Sequence, residues 1–477
     1  MKKYTALAEI QSLIAQQSLR LTDLLEYYFQ QIEDHKHLNA FNEVFFLSAK
    51  KQAALVQEKI DNQTAGRLAG MVIGIKDNIC YQDHLVTASS RMLENFVAPY
   101  SATVVERLLA EDAIIIGRLN CDEFAMGGSN ETSYFGPVRN AADPERVAGG
   151  SSGGSAVAVQ ADMCLATLGT DTGGSVRQPA AFCGCIGLKP TYGRISRFGV
   201  IAYASSFDQV GTITSSIDDA ALLLEVLAGP DEKDSTVSDA AVPAYSEALN
   251  RPQKQKIAVL QETLDSKALD PEIRTAILNG IETLKADGHE VEYVSFDLLD
   301  YLVPAYYVLT AAEASSNLSR YDGVHYGYRN KEAKDLNQLY KLSRAEGFGP
   351  EVKRRIMLGT FILSAGYYDA YYQKAQKVRR LIRDKIENLL SQYDAILLPV
   401  TPTPAFKIGA HIKDPLVMYM EDIFTVLASL SGVPAISLPL GNNEAGLPLS
   451  VQVLAGHFNE SALLNLSNRF LNSLSVK

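Results

Sequence analysis

Histidine is scarce in this chain: seven in 477 residues, with none between His84 and His289. That long stretch therefore offers no local partner for a serine–histidine pair. Basic residues are not in excess either, since 44 Lys and Arg face 55 Asp and Glu, a net charge of −11. Gripping nucleic-acid phosphates takes a basic face, so this chain is not expected to hold a nucleic acid alone. A basic partner is compatible with the charge. No apolar run reaches ~18 residues, so no membrane-spanning helix is expected. No apolar signal core stands behind Met1-Lys2-Lys3-Tyr4. Cysteine is sparse and odd in number, at positions 80, 121, 164, 183 and 185. Their spacing is not that of a disulfide framework, and a reducing cytoplasm is the expected setting. Cys183-Gly184-Cys185 has no second Cys or His pair near it in sequence, so no metal site is expected. Internal repeats and low-complexity tracts are absent.

Two glycine loops carrying serine stand out. The first is Gly149-Gly150-Ser151-Ser152-Gly153-Gly154-Ser155 and the second is Asp171-Thr172-Gly173-Gly174-Ser175. Glycine lets backbone approach a ligand closely and turn N–H groups toward it. A serine on such a loop becomes a nucleophile when a base takes its proton and the N–H groups hold the resulting oxyanion. No Gly-Lys-Ser/Thr follows the first loop, which argues against a phosphate-binding P-loop. Gly150-x-Ser152-x-Gly154 also fits a nucleophile elbow, but that motif needs a preceding strand and Asp143-Pro144-Glu145-Arg146 reads as a turn. With histidine missing, the candidate base is Lys76. It follows the strand-like run Met71-Val72-Ile73-Gly74-Ile75, and burial there would lower its pKa. A neutral Lys76 could take the proton of Ser151, which could take that of Ser175. Ser152 and Ser155 are expected to bond loop backbone.

Composition and length suit an ordinary globular protein with a sizeable core. Residues 5 to 60 read as helices. From about 66 to 225 short apolar strands (Val72–Ile75, Ala113–Ile116, Cys164–Leu168) alternate with helices (Thr103–Glu111, Ser155–Gln160, Ser216–Leu227). Residues 229 to 255, with Pro230 and Pro252, read as a surface excursion. The alternation resumes at Ile257–Leu260, Pro271–Lys285 and Val291–Val294. A helical stretch of about 305 to 390 follows, then strands at Ala395–Val400, Ala435–Leu440 and Leu449–Leu454, the last two flanking a hairpin-like turn. This pattern predicts an α/β fold with a mixed, largely parallel central sheet covered by helices on both faces, in one domain spanning 1–477.

These loops and Lys76 resemble the amidase signature family. The resemblance implies that Ser175 is the acyl-forming nucleophile, Ser151 a bridging serine after a cis peptide, and Lys76 the base. It implies an oxyanion hole from the N–H groups of Thr172, Gly173, Gly174 and Ser175, and no metal. Asn120-Cys121-Asp122-Glu123-Phe124-Ala125-Met126-Gly127, Lys189-Pro190-Thr191-Tyr192-Gly193-Arg194, Glu346-Gly347-Phe348-Gly349-Pro350-Glu351 and Met418-Tyr419-Met420-Glu421-Asp422 narrow the likeness. They are similar to the glutaminase subunits of tRNA-dependent amidotransferases. The likeness covers nearly the whole chain, although Ala148 stands where the pattern usually has proline.

For such a glutaminase the substrate is glutamine, and the resemblance places Arg355 on its carboxylate and Asp422 on its ammonium, with Tyr306 nearby. A planar guanidinium suits a carboxylate through a bidentate fork. The released ammonia would pass to a large partner subunit that binds tRNA and ATP, beside a small third subunit in a heterotrimer. ATP and Mg would be used by the partner, with no cofactor in this chain. The product would be Gln-tRNA(Gln) from Glu-tRNA(Gln), with Asp-tRNA(Asn) left open as a further substrate. Two other readings stand beside it: a stand-alone amidase for small amides, and a scaffold subunit without catalysis, against which the intact triad speaks. Lys374, Lys377, Arg379, Arg380 and Arg383 invite a tRNA contact, but a solvated helix face is the expectation given the net charge.

Overall fold

The computed structural model describes residues 3–475 apart from 250, 252, 412 and 413. Met1, Lys2 and Pro252 thus lie outside the described residues. Eleven strands form one sheet: β1 (Phe41–Val44), β2 (Val72–Lys76), β3 (Ile114–Leu119), β4 (Ala166–Asp171), β5 (Ile186–Lys189), β6 (Gln209–Thr214), β7 (Lys256–Leu260), β8 (Glu290–Val294), β9 (Ala395–Pro399), β10 (Ala435–Asn442) and β11 (Pro448–Ala455). Their spatial order is β1-β3-β2-β4-β6-β5-β10-β11-β9-β7-β8. The inner strands are apolar runs buried along their whole length, as strands covered on both faces must be.

The mixed, helix-covered sheet is the one expected, with a smaller parallel share. Parallel pairing is confined to two blocks, β3–β2–β4 and β9–β7–β8. The remaining neighbours run antiparallel. The cause is β5, β6 and β1, which the apolar pattern alone did not separate from loops and helices. β1 interrupts the helical reading of residues 5 to 60 and adds an antiparallel edge beside β3. The helical stretch from 305 to 390 holds four α-helices, Leu299–Asn317, Leu336–Gly347, Pro350–Leu363 and Lys374–Leu390, with a 3-10 turn at Leu318–Arg320 and a π-helical turn at Tyr368–Gln373, and is broken by non-helical chain around 321–335.

The site follows from the first parallel block. β2 and β4 are parallel neighbours, so Lys76 at the end of one and Thr170-Asp171 at the end of the other emerge on the same edge. Ligands of open α/β sheets lie outside such carboxyl ends. Between β3 and β4 the chain makes the helix Gly153–Gln160, whose start is pressed onto β3's exit. A side chain at Gly154 would stand 2.5 Å from the Ala40 carbonyl oxygen, so only glycine lets the helix dock there. Asp143–Arg146 is a turn, closed by Arg146 N–H donating to the Asp143 carbonyl at 2.9 Å, and no strand leads into Ser152.

Candidate active site

Lys76 is fully buried, and its Nζ lies 2.7 Å from Ser151 Oγ and 2.9 Å from Thr170 Oγ1. Asn78 Nδ2 donates to the same Thr170 hydroxyl at 3.0 Å, which orients it toward the lysine. Burial lowers the Lys76 pKa from its ordinary value to about 8, against the opposing pull of Asp122, Asp171 and Asp208. Asn78 stands in the sequence motif around Lys76 but was given no role of its own there, and Thr170 went unnoticed. Ser151 follows a cis peptide from Gly150. The Gly150 N–H donates to Gln178 Oε1 at 2.8 Å, and Asp122 N–H to the Ser151 carbonyl at 3.1 Å.

Ser175 is brought beside Ser151 through backbone, with Ser152 N–H donating to the Ser175 carbonyl at 3.1 Å. Among the described residues no hydrogen bond joins the two hydroxyls. A serine hydroxyl rotates freely, and such bonds tighten when substrate binds. Ser152 and Ser155 bond backbone as expected, reaching the Thr170 and Leu168 carbonyls at 3.3 Å.

The second loop is held from both sides. Asp171 and Arg177, both fully buried, pair through two guanidinium contacts of 3.0 and 2.9 Å. Burial alone would raise the Asp171 pKa, but Arg177 holds it below the ordinary carboxylate range. Thr172 Oγ1 donates to Asp208 Oδ1 at 2.7 Å. Gly174 sits at φ +140°, where a side chain would strain the backbone and strike the Thr425 side chain. Gly173 is covered by Tyr306, whose hydroxyl would collide with any Cβ there. Among the described residues no acceptor takes the N–H groups of Gly173, Gly174 and Ser175. They are free for an oxyanion, and the Thr172 side chain fixes the loop that carries them.

Arg355 and Asp422 meet around a tyrosine cluster. Arg355 is 4 % exposed, gives Nε to Glu351 Oε1 at 2.8 Å and Nη1 to the Tyr203 hydroxyl at 2.6 Å, and faces the rings of Tyr203, Tyr307 and Tyr419. Asp422 accepts the Tyr307 hydroxyl at 2.7 Å, and burial raises its pKa to about 7. Tyr306 stands edge-on to Tyr307 and to Phe207. A cavity of about 260 Å³ opens beside this cluster, with Gly128, Glu351, Arg355, His411, Met418 and Tyr419 in its wall. Ser175 does not line it. The link is Gly128, where a Cβ would lie 3.5 Å from Gln178 Nε2 and 3.9 Å from Asp422 Oδ1. The site thus combines a Lys–Ser pair, an N–H-lined loop and a buried cluster carrying Arg355 and Asp422.

The basic run divides in the structure. Arg380 and Arg383 make exposed pairs with Asp384 and Glu387. Arg379 is not on a solvated face: it donates to Ser206 and the Leu430 carbonyl and lies 4.0 Å over Phe207. Its helix packs against that loop, which the linear pattern of charges did not reveal. The five cysteines are all buried and unbridged. Among the described residues no cluster of three metal-ligating side chains occurs, and no helix is long and apolar enough to cross a membrane.

Fold and site together define a class: α/β proteins with a buried lysine on a serine at the carboxyl ends of parallel strands, beneath a glycine loop of free N–H groups. The chain belongs to the amidase family, whose profile, described as Amidase, matches residues 23–464. It is 48 % identical over 466 residues to the A-subunit of the glutamyl-tRNA(Gln) amidotransferase of Koribacter versatilis, covering 97 % of each chain. It is 49 % identical over 471 residues to that of Bdellovibrio bacteriovorus, covering 97 % of this chain and 96 % of the relative. Among solved structures it is similar to the glutamyl-tRNA(Gln) amidotransferase A-subunit of Thermotoga maritima, at 40 % identity and a TM-score of 0.76 over 94 % of this chain and 93 % of that one. The peptide amidase of Stenotrophomonas maltophilia matches at a TM-score of 0.84 but 27 % identity, over 99 % and 97 %.

Proposed function

We propose that this chain is the glutaminase subunit of a tRNA-dependent amidotransferase. The carrying observation is that Arg355 and Asp422, buried ends of opposite charge, are assembled around Tyr306 and Tyr307 against the Gly173 loop. Arg355 keeps its Nη groups beyond the bonds to Glu351 and Tyr203, and Asp422 keeps Oδ1 beyond the bond to Tyr307. A free glutamine offers a carboxylate and an ammonium to match them, which a neutral amide lacks. The A-subunits of glutamyl-tRNA(Gln) amidotransferases, alike over nearly their whole length, support the same reading.

In this mechanism neutral Lys76 accepts the Ser151 proton and Ser151 accepts that of Ser175. Ser175 Oγ attacks the side-chain amide carbon. The N–H groups of Thr172, Gly173, Gly174 and Ser175, on the loop pinned by the Thr172 side chain, stabilise the oxyanion. The relay returns a proton to the leaving nitrogen, ammonia departs, and water frees glutamate from the acyl-serine. We further propose a heterotrimer in the cytoplasm. A large subunit using ATP and Mg would receive the ammonia and amidate Glu-tRNA(Gln), and Asp-tRNA(Asn) where the host requires it. This acidic chain would leave the tRNA mainly to that partner.

The test is Ser175→Ala in the purified complex. Glutamine-dependent formation of Gln-tRNA should be abolished while ammonia-dependent formation continues, because Ser175 serves only to release ammonia. Equal loss with both nitrogen donors would refute the assignment.

A further inference from the structure

Asp422 has two carboxylate oxygens in different surroundings. Oδ2 is taken by the Tyr307 hydroxyl at 2.7 Å. Oδ1 is the oxygen near Gly128, a residue of the cavity wall. Tyr307 is itself clamped: its ring stacks on Tyr419 at 4.0 Å and 26° and stands edge-on to Tyr306 at 5.0 Å. Tyr419 continues the chain, donating to Glu351 Oε1 at 2.9 Å, the oxygen that also receives Arg355 Nε. The Arg355 guanidinium in turn lies 5.2 Å from the Tyr307 ring centroid. Asp422, Tyr307, Tyr419, Glu351 and Arg355 therefore form a closed circuit with Tyr307 at its centre.

We propose that Tyr307 is a positioning residue for glutamine selection, holding Asp422 so that Oδ1 faces the substrate ammonium while its ring fixes the distance to Arg355. This rests on the glutaminase reading. A charge-assisted hydrogen bond from a locked phenol does two things here. It fixes the carboxylate rotamer, and it favours the ionised form that an ammonium needs. The charged and titratable groups facing Asp422 are Tyr306 and Tyr307 from the helix Leu299–Asn317, Arg355 from the helix Pro350–Leu363, Asp171 and Arg177 from the nucleophile loop and the helix after it, and its neighbour Glu421. Of these, only Tyr307 makes a direct hydrogen bond to it among the described residues.

The experiment is Tyr307→Phe in the complex, with glutamine and propionamide as probes. The ring and its stacking remain and only the hydroxyl goes. KM for glutamine should rise about tenfold with kcat little changed, the scale of one charge-assisted bond. Propionamide hydrolysis should be unaffected. The acidic limb of kcat/KM for glutamine should move to higher pH, since Asp422 loses a bond that favours its ionised form. In an Asp422→Asn background the same substitution should add nothing. A loss shared equally by both amides, or a full additional loss in the Asp422→Asn background, overturns the proposal. Should the Phe variant fail to fold, Tyr307→Leu, which also lacks the donor to Asp422, is read by the same two criteria. A wild-type complex that does not hydrolyse glutamine would instead refute the glutaminase reading, before any variant is compared.

Discussion

At the residue scale the proposed relay turns on Lys76, which would act only as a neutral amine. Its pKa of about 8 leaves about a tenth neutral at pH 7. The sign is that of a depressed base: activity falls as pH drops through that value and levels off above it. Propionamide hydrolysis should show this limb alone. Glutamine hydrolysis should fall more steeply below pH about 7, because Asp422 must also stay ionised. Parallel pH–rate profiles for the two amides check this, and identical profiles would remove Asp422 from recognition. Lys76→Ala and Ser151→Ala should each fall close to the Ser175→Ala level, because members of one relay are not additive. A Lys76→Ala chain with near-normal glutaminase rate would place the base elsewhere. Arg355 is already engaged with Glu351 and Tyr203. It is therefore a pre-oriented fork, and Arg355→Lys should rescue poorly, losing about tenfold or more in kcat/KM for glutamine but not for propionamide.

At the element scale the glycine loop carrying Ser175 is anchored by a buried ion pair. Arg177 ties Asp171 to the Thr425 carbonyl, to Ser429 and to Gln452 of β11. It thereby joins the end of β4 to a strand far along the chain. Arg177→Met strands the Asp171 charge, and losing one partner of a buried pair costs about 3–5 kcal/mol. Denaturant unfolding should register that loss, and glutaminase activity should fall with it as the loop loses its anchor. A variant of unchanged midpoint would show that the pair is dispensable. Gly174→Ala should also reduce activity, since φ +140° and the Thr425 side chain both resist a Cβ. Activity at the wild-type level would show that the loop can shift without harm.

At the scale of the whole molecule the sheet is continuous across the sequence. β5 pairs with β10, so strands far apart in the chain share one ladder. One principal core runs from Tyr4 to Phe470. The chain is therefore expected to unfold as a unit, giving one calorimetric transition. Two resolved transitions would reveal separable domains.

The candidate site residues were legible in the sequence, because glycine–serine loops and a strand-ending lysine declare themselves locally. So was the α/β alternation, since a buried strand must be an apolar run. That Lys76, Ser151 and the loop of Ser175 come together at the ends of parallel strands was decided by the pairing of β2 with β4. What the linear chain did not show was non-local. β1, β5 and β6 are too short or too mixed to read as strands alone, and their antiparallel pairing exists only against partners. Arg379 looked like part of a charged face until its helix packed on Phe207. Thr170 and Tyr307 are ordinary residue types whose roles come from what they touch: a lysine from another strand and a carboxylate from another part of the chain. Local propensity and periodicity thus decided the elements and the reactive groups. Only tertiary packing decided which polar atoms meet, because hydrogen bonds across the fold leave no period in the sequence.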